Sequence, residues 1–131
     1  MILVFDTTAL SHFLDEDQTL IQVVASKEFD HYVIPLATDA EIRFGFMHGS
    51  RQSDNLTKYA NAIQQLSFEV VYPNQDTSLV YAELATWAKQ HGTALSNNDI
   101  WIAATSRQLG GKLLTLDGDF KYLPQISLVD L

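Results

Sequence analysis

Five acidic side chains stand where strands end or helices begin. Asp6 follows the apolar run "ILVF", and Glu41 lies in "TDAE". Asp99 lies in "SNNDIWIAA", and Asp117 and Asp119 fall in "LTLDGDF". Each has a local use. Asp6 suits an N-cap. Thr38 with Glu41, and Ser96 with Asp99, match capping boxes. Asp117-Gly118 is a turn signal, although "DFKYLP" supplies no second strand for a hairpin. Brought together, the five have a chemistry that none has alone. Two ionised carboxylates about 4 Å apart repel by roughly 4 kcal/mol at an effective dielectric near 20, so a cluster needs a cation. An all-oxygen donor set selects Mg²⁺ or Mn²⁺ over zinc. The histidines, His12, His31, His48 and His91, are scattered without metal-ligand spacing.

The elements that must position these acids alternate in type. "ILVF" reads as a buried strand, residues 20 to 25 as part of a helix, and "YVI" at 32 to 34 as a second strand closed by Pro35. A helix follows from Thr38 to about His48, then a polar loop and a helix around 55 to 66. "FEVV" is a third strand, and Asp76 or Thr77 caps a helix that Gly92 ends. "DIWIAATSRQL" is helical, "KLLT" is a strand, and "SLVDL" a last short one. Apolar strands alternating with helices predict one α/β domain over residues 1–131, a three-layer α/β/α arrangement around a parallel sheet of four to five strands. In such sheets ligands bind beyond the carboxyl ends of the strands. Two strands run directly into aspartate there, at Asp6 and Asp117.

Bulk properties narrow the classes. The chain has 131 residues, 47% hydrophobic and 18% charged, which suits one globular domain. The absence of cysteine excludes disulfides and thiolate metal sites and suits a reducing cytoplasm. The N-terminal apolar run is too short for a signal peptide or membrane span. Sixteen acidic and eight basic residues give a formal net charge of −8, which disfavours nucleic-acid binding through a basic face unless clustered carboxylates hold cations. No P-loop, dinucleotide-binding glycine motif or G-x-S-x-G elbow is present. An EF-hand fails on Tyr122 and Leu128, where glycine and glutamate belong.

In order and spacing, "VFDTTAL", "TDAEIRFG", "NNDIWIAA" and "LTLDGDF" resemble the PIN-domain ribonucleases, in particular the toxins of VapBC-type toxin–antitoxin pairs. The resemblance covers nearly the whole chain. By position it implies Asp6, Glu41, Asp99 and Asp117 as catalytic metal-binding acids, with Asp119 as an accessory ligand or outer-sphere group. Thr8 and Thr115 match polar positions lining the site. It further implies a cytoplasmic Mg²⁺- or Mn²⁺-dependent endoribonuclease leaving 5′-phosphate and 3′-hydroxyl ends. The implied partners are an RNA substrate, a second copy of the chain, and a VapB-like antitoxin whose basic residue enters the acidic pocket. Arg43, Arg51 and Arg107 are candidates for RNA backbone contact against ordinary solvated arginines. Phe44, Phe46 and Met47 are expected in the core or a dimer interface, and Trp101 is expected to be packed. Two other readings stay open at this point: a structure-specific nuclease in RNA or DNA processing, and a non-catalytic module whose acids cap helices and bind a basic peptide.

Overall fold

The computed structural model describes residues 1–131. Its elements are β1 (Ile2–Phe5), α1 (Thr7–Leu14), α2 (Gln18–Ala25), β2 (His31–Pro35), α3 (Leu36–His48), α4 (Gln52–Leu66), β3 (Glu69–Val71), α5 (Gln75–His91), α6 (Asn97–Leu109) and β4 (Lys112–Leu114), then a 3-10 helix (Gly118–Tyr122). All strand pairings are parallel, in the order β3-β2-β1-β4. The sheet therefore has four strands. "SLVDL" contributes only an isolated bridge from Leu128 to Leu113, because its pairing ends after one residue beside a three-residue strand.

Residue alternation along β1 builds the three layers. Leu3 and Phe5 face a core shared with Leu10 of α1, Leu20 of α2, Ile42 of α3 and Tyr59 of α4. Val4 faces the opposite core, with Leu84 of α5 and Ile102, Ala103 and Ala104 of α6. A strand covered on both sides has no polar face to show, which is why "ILVF" is apolar throughout. Gly111 lets β4 close against β1. A Cβ there would lie 3.0 Å from Val4 Cγ2 and 3.1 Å from the Ile2 carbonyl oxygen.

Several helix starts differ from expectation. Helix α3 begins at Leu36 with Pro35 at the N-cap and no side-chain cap. The expected Thr38–Glu41 capping box does not form, since both residues already lie within the helix and point to other partners. Helix α4 begins at Gln52, before the expected residue 55. Helix α5 is capped by Asn74 in a reciprocal box with Thr77, not by Asp76 or Thr77, because Thr77 is the third helical residue. The Ser96–Asp99 box forms as expected.

Strand order fixes where a site can form. The chain moves from β1 through β2 to β3 in one direction, then crosses by α5 and α6 to β4 on the other side of β1. The crevice between the carboxyl ends of β1 and β4 is thus the topological switch point, the usual ligand position in open α/β sheets.

Candidate metal centre

Asp6 occupies that switch point. Its backbone N–H continues the β1–β4 pairing by donating to the Leu114 carbonyl at 3.1 Å. Its side chain caps α1, accepting from the Ala9 N–H at 2.8 Å. Thr8 Oγ1 donates to Oδ1 and Oδ2, at 2.8 and 3.1 Å, and Thr115 Oγ1 donates to Oδ2. Both threonines accept in turn: Thr8 from the Leu116 N–H at 3.2 Å, and Thr115 from the Asp117 N–H at 2.9 Å. The pair thereby ties the loop after β4 to the end of β1. The family resemblance implies that Thr8 and Thr115 line the site, and here their hydroxyls both donate to the Asp6 carboxylate.

Asp6 is only 2% exposed. Burial pushes its carboxyl above the ordinary value, hydrogen bonds from Thr115, Ala9 and Thr8 partly counter this, and the charge of Asp99 adds to the rise. A buried carboxylate carrying this penalty is a suitable cation ligand, because a nearby positive charge would favour its ionised form.

The neighbouring acids come from three more elements. Thr38 Oγ1 donates to the Phe5 carbonyl at 2.9 Å, locking the start of α3 to the end of β1. Glu41, one turn further along α3, accepts from Thr7 Oγ1 at 2.7 Å. Asp99 Oδ2 accepts from the Ser96 N–H at 3.1 Å in the first turn of α6. Asp117 caps the 3-10 helix, its Oδ1 accepting from the Asp119 N–H at 2.9 Å. Glu41, Asp99 and Asp117 each keep one carboxylate oxygen without a protein donor. Asp6, Glu41, Asp99 and Asp117 therefore share one edge of the sheet.

The side chains are not drawn into a tight cluster: no three of the Asp, Glu and His residues converge closely enough to form a group able to hold a metal ion. Each instead accepts from a nearby donor. The donor set fits a hard divalent cation in chemistry, with oxygen ligands and free carboxylate oxygens on three acids.

Asp119 is placed apart. It lines a cavity of about 520 Å³ with Trp87, His91, Thr93 and Tyr122, and only its backbone N–H joins the acidic edge. The arginines are also drawn elsewhere. Arg43 pairs with Asp39 at 3.1 Å and lies over the Tyr59 ring. Arg107 pairs with Glu83 of α5 at 3.0 Å. It sits about 12 Å along α6 from Asp99 at the helical rise per residue, near the opposite end of that helix. Arg51 is exposed, 3.9 Å from Asp54. Phe44 and Met47 are exposed, at 64% and 67%, whereas Phe46 packs against the Tyr59 ring. Trp101 stacks on Tyr81.

A cleft of about 280 Å³ beside Glu41 is lined by Thr7, Ser11, Asn55 and Lys58, and sequence reasoning singled out none of these four. The i, i+4 spacing of Thr7 and Ser11 and the i, i+3 spacing of Asn55 and Lys58 mark two helical faces. Only the packing of α1 near α4 shows that the faces meet.

The PIN domain family model matches residues 3–125. This chain is a PIN domain. It is 29% identical over 119 residues to Ribonuclease VapC1 of Haemophilus influenzae, covering 88% of this chain and 86% of the relative. It is 24% identical over 131 residues to Ribonuclease VapC5 of Mycobacterium tuberculosis, covering 95% and 96%. Among solved structures, VapBC2 from Rickettsia felis, bound to a DNA fragment from its promoter, superposes with a TM-score of 0.87. The identity is 20%, with 100% of this chain and 99% of that chain covered. VapBC-1 from nontypeable Haemophilus influenzae gives 0.84 at 23% identity, covering 99% and 98%. These likenesses show that the PIN fold extends across essentially the whole chain.

Proposed function

We propose that this PIN domain is a divalent-metal-dependent endoribonuclease and the toxin of a toxin–antitoxin pair. The observation that carries the proposal is the buried Asp6, held by Thr8 and Thr115 at the switch point, with Asp99, Asp117 and Glu41 on the same edge. Relatives named as VapC ribonucleases support the reaction class. The VapBC-5 structure from Mycobacterium tuberculosis, described as a member of a family of toxin–antitoxin systems, supports the partner.

In this reading Asp6, Glu41, Asp99 and Asp117 hold Mg²⁺ or Mn²⁺. Held there, such an ion would make water a better nucleophile and offset the charge developing at the scissile phosphate. Asp6 gives the fixed, buried anchor, with Thr8 and Thr115 setting the direction of its oxygens. Glu41 and Asp99 offer their free oxygens from two different helices, so their separation responds to how α3 and α6 pack. Asp119 steadies Asp117 through the backbone and is not assigned as a ligand. The exposed Phe44 and Met47 on α3 supply apolar surface for a homodimer, and the antitoxin is an inhibitor that brings a basic group to the acidic edge. No helix is long and apolar enough to cross a membrane, and a cytoplasmic location belongs to the same proposal.

Product chemistry is the test. RNA cleaved in Mn²⁺ should carry 5′-phosphate and 3′-hydroxyl ends, as expected when water attacks. Ends carrying 2′,3′-cyclic phosphate would mean attack by the ribose 2′-hydroxyl and would refute the assignment.

A further inference from the structure

The chain's net charge of −8 and its acidic sheet edge leave open what holds the rest of an RNA strand while one phosphodiester meets the metal. Three side-chain donors are gathered next to that edge. Ser11 lies one turn after Thr7 on α1, about 6 Å along the helix axis. Asn55 and Lys58 reach the same cleft from α4, and Glu41 and Thr7 line its other end. Neither the Ser11 hydroxyl nor the Asn55 amide is hydrogen-bonded within the protein, and Lys58 belongs to none of the ion pairs.

Lys58 differs in this from most other cations of the chain. Four of the other seven are paired: Arg43, Arg51, Arg107 and Lys112, with Asp39, Asp54, Glu83 and Glu28. Of the eight Lys and Arg residues, Lys58 alone lines this cleft. Asp15 lines it too, making the cleft mixed in charge. A strong bare anion site is thereby excluded, while a diester already anchored at the metal edge would still gain from three convergent donors.

We propose that Ser11, Asn55 and Lys58 form a subsite for a backbone phosphate of the RNA strand beside the scissile one. The inference rests on the nuclease reading and adds where the substrate runs: from the metal edge along the cleft between α1 and α4. Lys58 supplies the charge, and Ser11 and Asn55 supply neutral hydrogen bonds. Because the contacts are to phosphate, they position the strand and do not read its bases.

Binding of a fluorescein-labelled single-stranded RNA to the full chain, followed by anisotropy over a KCl series, tests this. Ca²⁺ in place of Mn²⁺ keeps all the acids of the metal edge intact while suppressing cleavage, with and without Lys58→Ala, Lys58→Arg or Asn55→Ala. Cleavage kinetics are measured in the otherwise native chain. Lys58→Ala should weaken RNA binding about tenfold and raise KM with kcat little changed. It should lower the slope of log affinity against log salt by about 0.7, the value for one single-strand phosphate contact. Lys58→Arg should restore affinity and slope, and the Mn²⁺-induced thermal shift should be the same in all Lys58 variants. Unchanged affinity and slope in Lys58→Ala would overturn the subsite while Mn²⁺ binding and cleavage left the nuclease reading standing. Weakened capture of an antitoxin peptide with RNA affinity unchanged would assign the cleft to the protein partner and overturn it equally. A native chain that neither binds RNA nor responds to Mn²⁺ would end both proposals.

Discussion

Replacing Asp6 with asparagine separates its two roles, because asparagine is about as good an N-cap as aspartate. The Ala9 N–H at 2.8 Å keeps an acceptor. What changes is the second oxygen, which accepts from Thr115 and Thr8. The amide NH₂ there forces a hydroxyl to rotate, and a hydrogen bond to a charged group, worth about 1.5–3 kcal/mol, is lost. Against this, the variant no longer ionises a carboxylate that burial disfavours. The opposing effects leave metal-free Asp6→Asn within about 1–2 kcal/mol of the native chain. The metal response differs sharply. At one hundred times the dissociation constant, Mn²⁺ adds about 2.7 kcal/mol to the native fold. Unfolding entropy of ~2.1 cal/mol/K per residue over 131 residues comes to about 0.28 kcal/mol/K, so Tm should rise by about 10 °C. Thermal unfolding of both chains across a Mn²⁺ titration reads this directly. A shift of native size in Asp6→Asn would refute the role of Asp6 as a ligand. A metal-free loss above about 4 kcal/mol, beyond the largest hydrogen-bond loss above, would show that the carboxylate is chiefly structural.

Further consequences follow from the same geometry. Since the folded-state pKa of Asp6 is raised, its contribution favours folding below the ordinary carboxylate value and is lost as pH rises through the raised value. Metal-free native chain should therefore lose stability over that window relative to Asp6→Asn, as pH-dependent denaturant melts would show. Proton competition at Asp6 should also end Mn²⁺ binding on the acid side at a pH above the ordinary carboxylate pKa. Ser96→Ala removes the cap of α6 but leaves the Asp99 carboxylate, so it should cost about 1 kcal/mol of stability while RNA cleavage stays within a few-fold. Gly111→Ala places a methyl 3.0 Å from Val4 Cγ2 and 3.1 Å from the Ile2 carbonyl oxygen. It should destabilise by about 1–3 kcal/mol in chemical denaturation, with the loss falling on the β1–β4 pairing beneath Asp6.

Much of the fold could be read from residue pattern. Fully apolar strands between helical segments specify a covered parallel sheet, and "ILVF" meets both cores as that pattern requires. The end of β1 at Asp6 and the loop after β4 that carries Asp117 mark the candidate edge for the same reason. Helix starts were harder, because capping signals are local and several residues satisfy them. Thr38 and Glu41 have the spacing of a box, yet tertiary partners take both: the Phe5 carbonyl and Thr7. Asp117 and Asp119 are alike in sequence, and only the 3-10 helix distinguishes them, Asp117 capping it and Asp119 lining the cavity beside Trp87 and His91. The arginines near the acids in sequence are paired elsewhere in space, while Lys58, seventeen positions after Glu41, comes to its side. Contacts between α1, α3 and α4 decide that, and single-helix periodicity does not carry them.

The most direct test of the central claim is RNA cleavage by native chain and Asp99→Asn, each stripped of metal by chelation and then resupplied with Mn²⁺. Asp99 lies on α6, apart from the strand that carries Asp6, and its side chain makes only the Ser96 cap. The account predicts no cleavage by stripped native chain and full recovery on adding Mn²⁺. Asp99→Asn should remain folded and show cleavage reduced at least a hundredfold under either condition, consistent with losing about 2.7 kcal/mol or more of transition-state stabilisation. Cleavage by the stripped native chain, or native activity in folded Asp99→Asn, would contradict it.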